Sequence, residues 1–136
     1  MPAFGDRSIR ALSTAHPLLQ ELFQAVVKTY DCAVLEGHRN ETAQEQAFAA
    51  GKSLLHWPYG KHNQLPSLAV DVVPWPVRWD DPKSFWHFAG YVQAMAHGLG
   101  IKIRWGGDWD GNPMTENRLE DLPHFELVGT ARLKLV

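Results

Sequence analysis

The sequence contains a single cysteine, Cys32, so no disulfide can form within the chain. A structural zinc site built from several thiolates is excluded for the same reason. A chain without disulfides folds readily in a reducing compartment, and we therefore expect synthesis and folding in a cytosol.

The sequence also lacks an excess of charge of one sign and any long apolar run. Its 13 Lys and Arg face 15 Asp and Glu, for a formal net charge of −2, and the basic residues are scattered, so nucleic acid is not an expected partner. No apolar run approaches the roughly 20 residues that cross a bilayer. The first residues do not show the charged segment and apolar core of a secretory signal. We expect neither stable membrane insertion nor signal-directed export.

The composition is that of an ordinary globular domain. Apolar residues make up 45% and charged residues 21% of the 136 positions, which is enough to bury a core, and no repeat indicates a second unit. We therefore predict one domain over residues 1–136.

Hydrophobic periodicity predicts the secondary structure. Helices are expected over residues 17–30, 40–50 and 81–99, where Pro17, Asn40 and Asp81 supply start signals. Short strands are predicted over residues 32–35, 68–73, 101–105 and 124–128. This order predicts a small α+β domain, in which about three helices pack on a central, mainly antiparallel sheet.

Asp71 is the first candidate functional residue, because it lies within a strand of apolar and β-branched residues. A carboxylate removed from water must be paired, hydrogen-bonded or bound to a metal. Alternation along the strand puts Asp71 on the same face as Ala69 and Val73, and the small Ala69 leaves space beside the carboxylate. Metal binding would satisfy this carboxylate.

Two histidines can complete a metal site with Asp71. Catalytic zinc is usually held by three nitrogen or oxygen ligands, with the fourth position open to water. His62 lies in an irregular segment before the Asp71 strand, and His124 begins the last predicted strand. We predict that His62, Asp71 and His124 bind one Zn²⁺. The other histidines are expected to be surface or hydrogen-bonded residues: His16, His38, His56, His87 and His97.

Zinc lowers the pKa of its water, but a nearby carboxylate must still take the proton. Asp121 lies three residues before His124, and because Pro123 disfavours a helix between them, a bend must bring Asp121 to the metal. Glu126 shares a strand face with His124 and is the second candidate base, and it is also a candidate hydrogen-bond partner of a ligating histidine. Asp108, in a Gly-Gly-Asp turn, is a candidate hydrogen-bond partner of a ligating histidine.

These motifs resemble a known peptidase group. Lys61-His62, the Ala-Val-Asp segment that ends at Asp71, and an acidic residue two positions before Pro123-His124 are similar to motifs of the VanY-like zinc D,D- and L,D-peptidases. Phage L-alanyl-D-glutamate endopeptidases are the nearest likeness. The resemblance implies a hedgehog/DD-peptidase-like domain with its zinc site at the sheet edge, zinc ligands His62, Asp71 and His124, and Asp121 as base.

The resemblance extends upstream and covers roughly residues 34–128. It implies that Arg39 binds substrate and stabilises the oxyanion, a role that suits a guanidinium because it stays charged. It also implies that Gln44 and Ser53 bind substrate, although Gln44 could instead be a helix surface residue and Arg39 could pair with Glu41. The spacing of nine residues between His62 and Asp71 is longer than in many members. The upstream matches are Gly37, His38, Arg39, Gln44, Phe48, Gly51 and Ser53.

The leading hypothesis is a zinc metallopeptidase that cleaves the peptidoglycan stem peptide, at the L-alanyl-D-glutamate bond, as a phage-type endolysin. A D-alanyl-D-alanine carboxypeptidase is the near alternative. A metal-bearing wall-binding domain without activity is a second class. A glycosidase-type lysin is a third class, which needs two carboxylates and no metal, and Glu36 is its only candidate acid.

An endolysin of this kind would be a monomer made in the host cytoplasm and would rely on a separate holin-type protein to reach the wall. A sugar-peptide ligand could stack on one or two aromatic residues near the predicted site, although most of them are expected to serve packing. These aromatic residues are Trp57, Tyr59, Trp75, Trp79, Trp105 and Trp109.

Overall fold

A computed structural model of the chain describes residues 2–108 and 121–129. Within these ranges the chain forms four α-helices, one 3₁₀ turn and four strands. In chain order they are α1 (Asp6–Ser13), α2 (Pro17–Val27), β1 (Cys32–Glu36), α3 (Glu41–Ala49), the 3₁₀ turn (Lys61–Asn63), β2 (Ala69–Pro74), α4 (Pro82–Leu99), β3 (Ile103–Trp105) and β4 (His124–Leu127). No helix in the described ranges is long and apolar enough to cross a bilayer.

The four strands form one antiparallel sheet in the order β1-β2-β4-β3. The central strands are β2 and β4, and their register places Asp71 directly opposite His124. Glu36, the last residue of β1, pairs with Asp71 from the other side. The predicted α+β class and antiparallel sheet are therefore confirmed. The candidate site lies at the end of the sheet where β1 ends and β4 begins, which agrees with the edge position that the resemblance implied.

The hydrophobic core lies on one face of this sheet, under α2 and α4. Phe125 of β4 packs edge-on against Phe23 of α2 and Phe88 of α4, with ring centroids 5.5 and 6.0 Å away. Val70 and Val72 of β2 belong to the same cluster and are fully buried. Because side chains alternate along a strand, the intervening residues point to the opposite face. That face carries the candidate site.

The predicted helix signals agree with the structure at most ends. Asn40 caps α3 by accepting a hydrogen bond from the Ala43 backbone N–H at 2.9 Å. Gly100 ends α4 in the left-handed conformation, with φ +71°. Helix α2 is shorter than predicted, since it ends at Val27, and the N–H groups of Thr29 and Tyr30 both bond to the Val26 carbonyl in a terminal turn.

Two elements were not predicted, namely α1 and the 3₁₀ turn, so the expected count of about three helices was too low by one. Helix α1 begins after Gly5, which has no side chain to cap it, and it buries only Ser8 and Leu12. It therefore lacks both a capping side chain and the broad apolar stripe that mark a helix in a sequence. It is held by β1, because the Ser8 hydroxyl accepts a hydrogen bond from the Val34 N–H at 3.0 Å.

Gly37 allows this close approach of α1 to β1, and its substitution tests the packing. A Cβ at Gly37 would lie 2.4 Å from both the Ala11 carbonyl oxygen and the Thr14 hydroxyl. We expect Gly37→Ala to lower the free energy of unfolding by about 2 kcal/mol or more in urea titrations, because backbone must move. The control is Gly90→Ala on the exposed face of α4, where no atom lies within 4 Å. That change should stabilise the protein by about 0.5–1 kcal/mol, and equal effects of both would refute the explanation.

Candidate metal centre

Three side chains from separate parts of the fold converge at one point. Asp71 comes from β2, His124 from the facing position of β4, and His62 from the 3₁₀ turn. The His62 Nε2 atom lies 3.2 Å from Asp71 Oδ1 and 3.2 Å from His124 Nδ1, and the latter two atoms are 3.5 Å apart. The structure therefore brings together the three residues that the sequence predicted as metal ligands.

The spacing of these atoms fits a bound divalent ion. Tetrahedral coordination with bonds of about 2.1 Å places neighbouring ligand atoms about 3.4 Å apart. The three observed separations of 3.2–3.5 Å agree with that value. Two imidazole nitrogens and one carboxylate oxygen suit several divalent transition metals, and three ligands leave a tetrahedral position open. His62, Asp71 and His124 could thus hold a metal ion.

The second nitrogen of each histidine is fixed by the protein. His62 Nδ1 donates to the Gly37 carbonyl at 2.7 Å, so its proton is on Nδ1 and its Nε2 lone pair faces the site. His124 Nε2 lies 2.8 Å from Glu126 Oε1, which directs the lone pair of its Nδ1 toward the site. Hydrogen bonds of this kind orient ligating histidines and raise their basicity.

The electrostatic surroundings favour a cation at this point. Burial alone would raise the pKa of Asp71, but hydrogen bonds with His124 and His62 hold it below its usual range. Burial would likewise lower the pKa of His124, whereas hydrogen bonds with Asp71 and Glu126 raise it to about 9. A site that stabilises the imidazolium this strongly also stabilises a metal ion, which must displace the proton.

Glu126 supports His124 from the side away from the metal position. Its Oε1 bonds to His124, and its Oε2 lies 3.0 Å from Lys61 Nζ and 3.8 Å from Arg104 Nη1. Burial would raise the pKa of Glu126, but the hydrogen bonds with His124 and Lys61 lower it. Because both oxygens are engaged, Glu126 is poorly suited to take a proton from a water molecule.

Asp121 is the carboxylate that stands beside the metal position. Its Oδ2 lies 3.8 Å from His124 Nδ1, the nitrogen that faces the site. The predicted bend is present, because the His124 N–H bonds to the Asp121 carbonyl at 3.0 Å across a turn. Burial and the neighbouring charge of Asp71 both raise the pKa of Asp121. This carboxylate is therefore adjacent to the site and more basic than an ordinary aspartate.

Arg39 is held at the site by two neighbours. Its Nε donates to Glu36 at 2.9 Å, its Nη2 also bonds to Glu36, and its Nη1 donates to Gln44 at 3.0 Å. Its Nη2 lies 4.0 Å from Asp71 Oδ2. Among the described residues no ion pair joins Arg39 to Glu41. The guanidinium keeps further N–H groups that can bind a ligand.

Gln44 is a buried hydrogen-bonding centre and not a surface residue, since only 1% of it is exposed. Its oxygen accepts from Arg39 and from Asn63 Nδ2, and its nitrogen donates to the Ser53 hydroxyl and the Leu55 carbonyl. These bonds use the full capacity of the amide. Gln44 and Ser53 both line the cavity whose wall includes His62 and His124. The contribution of Gln44 to the site is to position Arg39.

The candidate site lies between two adjoining cavities. One, of about 590 Å³, includes His62 and His124 in its wall, and the other, of about 930 Å³, includes Asp71. Arg39 and Asp121 line both. The sequence analysis missed several wall residues, because the irregular segment that carries most of them has no periodic pattern. They are Lys52, Leu54 and Leu55.

Two further predicted residues, Asp108 and Glu36, lie in surroundings that the sequence did not predict. Asp108 lines a third cavity, formed by residues of α4 and β3, and no member of the metal set lines that cavity. Its N–H bonds to the Trp105 carbonyl at 3.0 Å. Trp109 lies outside the described residues. Glu36, the candidate acid of a glycosidase, is instead paired with Arg39.

Comparisons with known proteins agree with this geometry. The family model described as phage L-alanyl-D-glutamate peptidase matches residues 2–128. The chain is 29% identical over 134 residues to the L-alanyl-D-glutamate peptidase of Escherichia phage T5, covering 92% of this chain and 97% of that protein. Its fold is similar to the crystal structure of the Serratia marcescens L-Ala D-Glu endopeptidase ChiX, with a TM-score of 0.75, 28% identity, and coverage of 93% of this chain and 91% of that chain. The chain therefore belongs to the phage L-alanyl-D-glutamate peptidase family.

Proposed function

We propose that the protein is a zinc peptidase that hydrolyses the L-alanyl-D-glutamate bond of the peptidoglycan stem peptide, as a phage-type endolysin in host lysis. The observation that carries the proposal is the convergence of His62, Asp71 and His124 beside the carboxylate of Asp121, whose Oδ2 lies 3.8 Å from His124 Nδ1. The family and both relatives are peptidases named for this bond.

Different residues of the chain have different roles in the proposed reaction. Zinc held by His62, Asp71 and His124 would polarise the scissile carbonyl and lower the pKa of a water molecule. Asp121 accepts a proton from the attacking water and returns it to the departing D-glutamyl amine. Its raised pKa suits both steps, because a carboxylate that is more basic than usual takes the proton from water more readily and can still return it to the amine.

Arg39 stabilises the negative charge that develops on the carbonyl oxygen. A fixed cation or donor at this place is typically worth a few kcal/mol of transition-state stabilisation. Glu36 and Gln44 hold the guanidinium before the substrate arrives, so little reorganisation is needed. Glu126 orients His124, and Lys61 neutralises Glu126.

The shape of the site supports an endopeptidase over the two alternatives. Two cavities adjoin the metal position, one through His62 and His124 and the other through Asp71, which gives room for a substrate chain that continues on both sides of the scissile bond. A D-alanyl-D-alanine carboxypeptidase needs room for only one residue on the departing side. A wall-binding domain without activity would need neither a carboxylate such as Asp121 beside the metal set nor an arginine held in place as Arg39 is.

We further propose that the whole chain, residues 1–136, is one catalytic unit that acts as a monomer. It would be made in the host cytoplasm and gain access to the wall through a separate holin-type protein. Membership of a phage peptidase family supports this order of events.

Digestion of purified murein tests the scissile bond. With zinc present, we expect mass spectrometry to find new peptides with N-terminal D-glutamate, and a chelator should abolish them because the carbonyl then lacks its Lewis acid. Released D-alanine would instead assign a carboxypeptidase. Cleavage that persists in chelator would contradict the metal-dependent mechanism.

Asp121→Asn tests the base. The amide cannot accept a proton, so kcat should fall by about 10²- to 10⁴-fold while zinc affinity stays close to that of the wild type. Asp80→Asn, at an exposed aspartate before α4, is the matched control and should leave kcat unchanged. An unchanged kcat in Asp121→Asn would assign the base to another residue.

Glu126→Gln tests the support of His124. Glutamine can still accept a hydrogen bond from His124 Nε2, but it lacks the negative charge that makes the imidazole more basic. Zinc affinity measured by competition with a chromophoric chelator should therefore fall by about 10- to 100-fold. Glu45→Gln is the control, because that carboxylate pairs with His56 on the surface, 2.7 Å away. If Glu126→Gln keeps its zinc affinity but loses kcat, Glu126 and not Asp121 is the base.

A further inference from the structure

The larger of the two site cavities has an aromatic wall that the proposed chemistry does not use. This cavity, of about 930 Å³, adjoins the metal position through Asp71 and Asp121, and Trp79 lines it. The indole of Trp79 stacks on Phe85, with ring centroids 5.5 Å apart and an interplanar angle of 30°. Phe85 is only 2% exposed, so it gives the indole a fixed support.

Trp79 itself is 62% exposed although it rests on a buried ring. Exposed tryptophans that are held in one orientation are good stacking surfaces, because ligand binding costs them little conformational entropy. Trp86 is exposed to a similar extent, 52%, but lines neither site cavity. The placement of Trp79, and not exposure alone, therefore distinguishes it.

The two cavities differ in charge. Three cationic side chains and two carboxylates line the smaller cavity, whereas three carboxylates and two cationic side chains line the larger. Lys61 is present only in the smaller cavity and Glu36 only in the larger. A ligand group with free carboxylates is thus favoured in the smaller cavity, and a neutral group in the larger.

The proposed substrate has the same asymmetry about its scissile bond. The D-glutamyl side carries free carboxylates, whereas the L-alanine is joined through its nitrogen to the lactyl group of a neutral N-acetylated sugar. We propose that the larger cavity binds this N-acetylmuramyl sugar, with Trp79 stacking on the sugar ring and the Gln46 amide in the same wall available for its polar groups. This inference rests on the proposed function and adds a subsite to it.

Binding of the sugar-bearing product tests the subsite without catalysis. N-acetylmuramyl-L-alanine should bind the zinc-loaded protein about tenfold more tightly than D-lactoyl-L-alanine in calorimetric titrations, because only the former has a ring to stack. Trp79→Ala should remove this preference, Trp79→Phe should keep part of it, and Trp86→Ala should retain it fully. Equal affinity of the two compounds for the wild type, or an unchanged preference in Trp79→Ala, would overturn the proposal.

Kinetics separates this inference from the proposed function. On N-acetylmuramyl-L-alanyl-D-glutamyl peptides, Trp79→Ala should raise KM by about tenfold with little change in kcat, and on N-acetyl-L-alanyl-D-glutamyl peptides it should change neither. An equal loss on both substrates would show that Trp79 serves the site in general and would refute the sugar subsite. If the wild type binds the sugar compound preferentially but cleaves neither peptide, the subsite stands and the proposed peptidase activity fails.

Discussion

The structure depends on one constraint, which is an ionised carboxylate placed in the middle of a buried strand. Asp71 stands between Val70 and Val72, both fully buried, and its own side chain is 17% exposed. Such a group must be surrounded by cationic or hydrogen-bonding partners, or it will take up a proton. The imidazoles of His62 and His124 surround this carboxylate, and the three facing atoms have the spacing of a metal site. The arrangement that satisfies Asp71 therefore also creates a binding site for a cation.

The partners of Asp71 form two networks that both return to the 3₁₀ turn. One runs from His124 to Glu126 and ends at Lys61, and the other runs from Arg39 to Gln44 and ends at Asn63. Lys61 and Asn63 are the two neighbours of His62 in the sequence. The 3₁₀ turn therefore provides the ligand His62 itself. Its Lys61 supports Glu126, the partner of His124, and its Asn63 supports Gln44, which positions Arg39 beside Asp71. This explains how a single turn of irregular backbone can hold a site with narrow geometric tolerance.

The sequence predicted the parts of the site that depend on local pattern. The strand around Asp71 and the motifs at His62 and His124 identified the metal set, because alternation and a buried charge are visible in one segment. The role of Gln44 was not decided, since it is the only buried residue of α3 and its partners lie on three other segments. The choice between Asp121 and Glu126 was open for a similar reason, because it depends on contacts of Glu126 with residues distant in sequence. Long-range hydrogen bonds of this kind leave no periodic signal.

The same alternation that places Asp71 also decides where the substrate cleft can lie. A shift of β2 by one residue would turn Asp71 toward Phe125 and the helices, and would turn Val70 and Val72 toward the cleft. Since α2 and α4 cover the core face, the cleft lies on the opposite face, where α3 and irregular segments supply much of its wall. Residues there, such as Lys52 and Tyr59, are exposed and are not required for the core. Substrate selectivity can therefore change at these positions while the register that fixes the metal centre stays the same.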